Sequence, residues 1–353
     1  MADFLSLFAN HSQYVQSADT LPSPNVACCH TEGEVHYKPL VSIRATFVTT
    51  AQVQTINITR ENALSGFTEI YIDNVKLQTL TSTHTFKASG THTIEYTLKN
   101  PYEIQDNAFS YCKQMTSVEI PNPIEIVGKY AFISCESLTS VTIPNSVKKL
   151  KEGVFYACYA LRNIKFGRNV EEVPDRCMYF CSGLTSIVFG ESISAIGLNA
   201  FMNCTSLHTL AIPNSIESIG SSAFKDCSGL TSVTIGNNVK SINYEAFNGC
   251  SAISSIVIPD SVTSIGDKIF YRCQNLTNVV VGSGVTSIGD NAFTNSGLGN
   301  ILMKPTTPPE IGRDILPISS ELVIYVKNQT ALTNYEGAEG WSNYANYMRI
   351  EPT

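Results

Sequence analysis

One spacing governs what this chain can fold into. The pair Ala108-Phe109 recurs as Ala131-Phe132, Val154-Phe155, Cys177-Met178, Ala200-Phe201, Ala223-Phe224, Ala246-Phe247, Ile269-Phe270 and Ala292-Phe293, 23 residues apart each time. Register held without insertion through nine units marks a repeat architecture. One unit reads AFISCESLTSVTIPNSVKKLKEG, from Ala131 to Gly153, with apolar positions at Ala131, Phe132, Cys135, Leu138, Val141, Ile143, Val147 and Leu150. The period-two end of Leu138-x-x-Val141-x-Ile143 suits a short strand with one buried face. Pro144-Asn145 ends it, because proline has no amide to donate. Val147 and Leu150 begin a return leg, and the Ala-Phe segment reads as a short turn or 3₁₀ piece. No single unit of this length covers its own apolar face, so the units must stack with each position over its copy.

The L-x-x-V-x-I pattern is followed by a polar column: Ser146, Asn169, Ser192, Ser215, Asn238 and Ser261, then Gly284. It resembles the leucine-rich-repeat consensus. With the AFxxC element and I-P-N-S-V, it is similar to the BspA-like variant of that repeat, over Ala108 to about Met303. The resemblance implies a repeat solenoid, a right-handed leucine-rich-repeat array of about nine 23-residue coils. It also implies adhesion or protein binding, at an extracellular or cell-surface location.

Outside the repeat the period breaks. Residues 1–40, with Pro22, Pro24 and Pro39, read as an extended arm. Residues 41–100 read as a small β-rich module that caps the N-terminal end; VSIRATFVTT, TEIYIDNVKL, HTFKASG and HTIEYTLKN are its strands. An independent binding domain is the alternative. Residues 101–303 are the solenoid, and after Met303 the register is expected to be lost. Residues 304–353 form a C-terminal cap. ELVIYV is its last strand, and a helix or two over Leu332–Ile350 carries Tyr335, Trp341, Tyr344 and Tyr347 as a lid.

Eight of the eleven cysteines form one column: Cys112, Cys135, Cys158, Cys181, Cys204, Cys227, Cys250 and Cys273, with Ser296 as the ninth copy. Stacked coils hold identical side chains parallel and about 4.8 Å apart, whereas disulfides need converging Cβ atoms near 3.8 Å. These cysteines are therefore expected to be free thiols that pack like small apolar residues. Cys177 occupies the alanine slot. Cys28-Cys29-His30 with His36 is the one cluster of metal-ligand types, but it lacks the C-x₂-C spacing for zinc. No metal and no cofactor are expected.

Catalytic signatures are missing too. His11, His30, His36, His84, His92 and His208 show no paired nucleophile, and no phosphate loop, dinucleotide fingerprint or H-E-x-x-H is present. A hydrolase in the β-module would need an acidic or nucleophilic cluster that the sequence does not display. A net charge of −7 argues against nucleic acid, and no apolar run is long enough to insert in a membrane. The first residues lack the basic and long apolar regions of a secretory signal. Sequons at Asn10, Asn57, Asn203, Asn275 and Asn328 matter only in a eukaryotic secretory route.

What varies between coils must carry recognition. Tyr111, Tyr130, Tyr156, Tyr159, Tyr179 and Phe180 concentrate on the turn edge of coils one to four. These are residue types that dominate binding hot spots; alternatively the rings pack between coils. Lys148, Lys149 and Lys151 lie one coil below Glu171 and Glu172, which makes them candidates for pairing. The sequence thus points to a non-catalytic scaffold that presents a solenoid surface to a protein or carbohydrate ligand. The alternative is a virion-associated or tail-type phage protein that touches a host surface with the same solenoid; PNVACCHTEGEVHYKP is similar to leaders of phage-like and secreted gut-bacterial proteins. That alternative places the chain in a virion or the cytoplasm.

Overall fold

The computed structural model describes residues 41–352 and, before them, the backbone of two strands. These are β1 (Val26–Thr31) and β2 (Glu34–Pro39), an antiparallel pair. This strand pair belongs to one unit and the chain from Ser42 onward to another. Within the expected extended arm, Val26–Thr31 and Glu34–Pro39 thus pair strand to strand.

In the second unit, β3 (Ser42–Thr49), β5 (Phe67–Ile72), β6 (Val75–Lys76) and β8 (Gly90–Leu98) form an antiparallel sheet, while β4 (Gln54–Asn57) pairs with β7 (Thr83–Phe86). β3 alternates strictly: Ile43, Ala45 and Phe47 are buried, and the residues between them are half-buried or exposed. TEIYIDNVKL is two strands rather than one. Asp73 and Asn74 both have positive φ, 49° and 67°, which gives the tight hairpin turn that such residues favour. The edge of this sheet is continued by Met115–Glu119 of the first coil, which pairs antiparallel with β3. Tyr96 and Phe67 lie against Phe109 with ring centroids 5.0 and 5.8 Å away, so the module's core runs into the first coil.

From there the chain winds as a parallel β-solenoid. Residues pair with their copies one repeat on: Val141 with Ile164 and then Ile187, Leu210 with Val233, Ile256 with Val279. The return legs form a second ladder, from Glu172–Val173 through Ala195–Ile196 to Glu310–Ile311. Val141, Ile143, Val147 and Leu150 are all buried between the two ladders. Thr142, Lys165, Val188 and Val257 point to solvent, as period two requires.

The register does not stop at Met303. Glu310–Ile311 pairs with Ser287–Ile288, Val323–Val326 with Asn300–Met303, and Met348–Ile350 with Ile324–Val326, all parallel. The solenoid thus has about 11 turns rather than nine. The late turns lack the Ala-Phe pair, which hides them from a search for that signature, but Ile301, Ile324 and Met348 keep the buried strand position. The lid is a helix, α1 (Gln329–Gly337), capped by the Asn328 side chain on the amide of Ala331, and a 3₁₀ segment, Trp341–Tyr347. Tyr335 and Trp341 are fully buried; their polar atoms donate to the carbonyls of Pro305 and Pro309.

Candidate functional site

The turn edge is built by a third ladder. Asn107, Phe109 and Tyr111 donate their amides to the carbonyls of Lys129, Ala131 and Ile133 in the next coil, and the pattern repeats along the stack. The outer two of these positions adopt the left-handed conformation, which aims the amide along the stack. Later coils often fill them with residues that tolerate it, such as Asn199, Asn203, Asp226, Gly249, Asn291 and Asn295. Early coils place Tyr111 (φ 63°), Tyr130 (φ 54°) and Phe180 (φ 62°) there. For a bulky side chain that conformation costs roughly 1–2 kcal/mol. The ladder requires the conformation in every coil but not an aromatic side chain there.

Of the six expected residues, the structure joins four in one chain of rings. Tyr130 meets Tyr156 edge-on at 6.5 Å, Tyr156 stacks on Tyr179 at 4.9 Å, and Tyr179 meets Phe180 edge-on at 4.5 Å. Tyr111, Tyr159 and Phe180 are 42%, 47% and 38% exposed, while Tyr130, Tyr156 and Tyr179 are half-buried. The rings pack between coils and leave part of their surface exposed. Burial raises the hydroxyl pKa of Tyr156, aided by the neighbouring Tyr179.

Tyr130 is the fixed end of this row. Its ring covers the α-carbon of Gly153, where a Cβ would stand 2.1 Å from the ring, and its hydroxyl donates to Glu152 Oε1 at 2.8 Å. Lys129 lies over the ring at 5.1 Å. Glu152 also takes Lys129 at 2.7 Å and Arg176 at 2.6 Å, and the hydrogen bond from Lys129, followed by that from Tyr130, holds its pKa down to about 2. Sequence reasoning missed this hub. Its one visible signal was Gly153, standing where other coils carry a side chain. The pairing expected for the lysines is also corrected. Lys148 binds Glu125 and Lys151 binds Glu103 and Asp106, so they reach back to preceding coils rather than forward to Glu171 and Glu172.

The cysteine column has a chemistry that its spacing concealed. Cys112, Cys135, Cys158, Cys177, Cys181, Cys204, Cys227, Cys250 and Cys273 are free and buried. In seven coils the Sγ donates to a carbonyl of the preceding coil: Cys135 to Phe109, Cys158 to Phe132, Cys181 to Phe155, Cys204 to Met178, Cys227 to Phe201, Cys250 to Phe224 and Cys273 to Phe247, at 3.1–3.4 Å. Burial pushes the thiols of Cys227 and Cys273 up to about 12. They are structural donors, and the neutral thiol is the form that donates.

One constellation in the β-module has the outline of a relay. Asp73 Oδ2 lies 2.8 Å from His92 Nδ1, and His92 Nε2 lies 3.2 Å from Thr49 Oγ1. The three bring a carboxylate, an imidazole and a hydroxyl together. The hydroxyl, however, is engaged with Ala88 and Gly90, and Thr49 is only 3% exposed. An attacking hydroxyl must reach a substrate carbon; this one ties the β3–β8 end together. Among the described residues, no group of three or more His, Cys, Asp or Glu converges on a common point for a metal. Cys28, Cys29, His30 and His36 fall in β1 and β2, with Cys29 opposite His36 in backbone register; their side chains lie outside the described residues. No helix among the described residues is long and apolar enough to cross a membrane.

Parallel ladders at a 23-residue period, with an inert buried column and a variable turn edge, define a leucine-rich-repeat scaffold. The chain belongs to the BspA type leucine-rich-repeat family, whose repeat region matches residues 79–208 and 194–316 in six copies. Among solved structures it is similar to a leucine-rich repeat protein from Bacteroides ovatus, with 24% identity over 61% of each chain and a TM-score of 0.52. This chain therefore spans less than two thirds of that protein. It is also similar to a leucine rich cell surface protein from Faecalibacterium prausnitzii, at 22% identity over 59% of this chain and 79% of that one, TM-score 0.28. The leucine-rich repeat protein of T. pallidum is 23% identical over 49% and 72%, TM-score 0.36. The curated proteins give no match.

Proposed function

We propose that this chain is a non-catalytic recognition scaffold that offers the aromatic turn edge of its first four coils to a protein or glycan partner at a bacterial surface. The observation that carries the reading is the placement of Tyr111, Tyr130 and Phe180 in left-handed positions, where later coils place Asn199, Asn203, Asp226 and Gly249, or long polar chains at Glu245, Lys268 and Arg272, but no aromatic ring. Backbone strain held at one surface is a pointer to function. Rigid, half-exposed rings suit recognition, because little side-chain entropy is lost when a partner covers them. The surface location rests on the family resemblance.

The test is a glycan and host-protein array probed with the purified chain, followed by titration of the hits. Tyr111→Ala, Tyr156→Ala and Tyr179→Ala should each weaken binding by about tenfold or more, the scale of a hot-spot residue. Thermal unfolding of each variant separates lost contact from lost packing. Unchanged affinity in all three would remove the edge as the binding surface.

A further inference from the structure

Beside the first coil lies a cleft of about 470 Å³, lined by Asn57, Thr59, Arg60, Glu61, Asn62 and Ser82. It is formed where the end of β4, the 3₁₀ turn Glu61–Gly66 and the strand entering β7 meet. Every lining residue carries a polar side chain. Thr59 is buried and spends its hydroxyl on the carbonyl of Ala108, which fixes the floor to the first coil. Arg60, Glu61 and Asn62 are exposed, and neither Arg60 nor Glu61 has an ion-pair partner among the described residues. Tyr111 lies against two of the lining residues. The Arg60 guanidinium sits 5.1 Å from its ring centroid, and the Asn57 amide reaches its carbonyl at 3.5 Å.

We propose that this cleft is a saccharide site for a neutral hexose-type ring, with Glu61, Arg60 and the two asparagines taking hydroxyl groups and Tyr111 covering an apolar face of the sugar. The proposal names a ligand class for the recognition scaffold and so rests on that reading, but it uses different residues from the Tyr156–Tyr179 row. Three features select the class. One cation and one anion give the lining no net charge, so phosphate or a carboxylated sugar would meet Glu61 as a repelling neighbour. Neighbouring hydroxyls of a sugar match a carboxylate as paired donors and a guanidinium fork as paired acceptors. An exposed aromatic ring beside such groups completes the pairing of one wet and one apolar face that a pyranose presents. The volume falls within the range of small-molecule pockets.

Ligand-observed saturation-transfer NMR on the full chain tests this, with methyl glycosides of glucose, galactose, mannose and N-acetylglucosamine as probes and glucuronic acid as the charged control. At least one neutral glycoside should saturate. Its affinity should fall by about tenfold or more in Arg60→Ala and in Glu61→Ala, while Val257→Ala, exposed on the strand face of a later coil, leaves it unchanged. Arg60 and Glu61 are exposed, and an unaltered unfolding temperature confirms that each variant folds. Three results overturn the site: no neutral glycoside saturates, saturation survives both cleft substitutions, or only the charged sugar responds. Loss of sugar binding in Tyr179→Ala alone would move the sugar to the aromatic row and overturn it as well. Failure of the recognition reading is read separately, from Tyr156→Ala and Tyr179→Ala on the array partner.

Discussion

A buried thiol that donates to the preceding coil makes the cysteine column sensitive to both substitution and pH. Cys227→Ala removes the sulfur and the donor to Phe201, and should cost about 1–3 kcal/mol in urea unfolding. Cys227→Ser keeps a donor in place and should cost less. An equal or larger loss for serine would show that sulfur volume matters and the bond does not. The thiols are neutral in the fold, with Cys227 and Cys273 raised from 9.0 to about 12. Between those values the unfolded chain loses protons that the folded chain keeps. Stability is therefore complete below pH 9 and falls as pH rises toward 12, which unfolding midpoints across that interval will read. Glu152 acts at the other end: its contribution is present above 4.5 and is lost as pH falls toward 2. Packing as free thiols was legible from sequence, because 23-residue spacing fixes parallel side chains. The donor role was not, since it depends on a carbonyl 26 residues back; Ser296, the ninth copy, donates instead to Phe293 of its own coil.

Among the elements, the turn edge is the most constrained. Gly153 has φ +64° and lies under the Tyr130 ring. Gly153→Ala should thus carry two penalties, left-handed strain of roughly 1–2 kcal/mol and displacement of the ring. In a Tyr130→Ala background only the strain remains, so a double-mutant cycle should show coupling between the two sites. Additive effects would mean that the ring moves aside freely. The strands and return legs could be read from period-two patterns and from proline. The third ladder could not, because its amides come from the Ala-Phe turn, where neither hydrophobic period nor proline gives a sign. For the same reason the aromatic positions were legible as a cluster but their backbone strain was not. The cleft beside Tyr111 joins residues from three separated segments, Asn57–Asn62, Ser82 and the first coil, and no single stretch of sequence contains it.

At the scale of the whole molecule, stability is carried by neighbour-to-neighbour contact, and each end needs a closure. Tyr96 and Phe67 cover Phe109 at one end; Tyr335 and Trp341 close the other, at an edge-on separation of 4.9 Å. Trp341 is the single tryptophan and is fully buried, so its fluorescence reports on the C-terminal turns alone. Trp341→Ala should destabilise by about 3–5 kcal/mol. In the unaltered chain, fluorescence should lose its blue-shifted signal at lower denaturant than far-ultraviolet dichroism if the last turns fray first. Coincident transitions would mean that the stack melts as one. The repeat made the middle of the molecule legible. Its end was misplaced at Met303 because the final turns keep the strand column and discard the Ala-Phe pair.

The three ladders also set how the chain would respond to being pulled from its ends. Every backbone bond between turns lies along the stack, so tension applied lengthwise loads a few bonds at a time and peels the coils off in sequence. Each release frees 23 residues, or about 80 Å of contour length. A tether of this kind would yield in small, evenly sized steps and dissipate a sudden load instead of snapping.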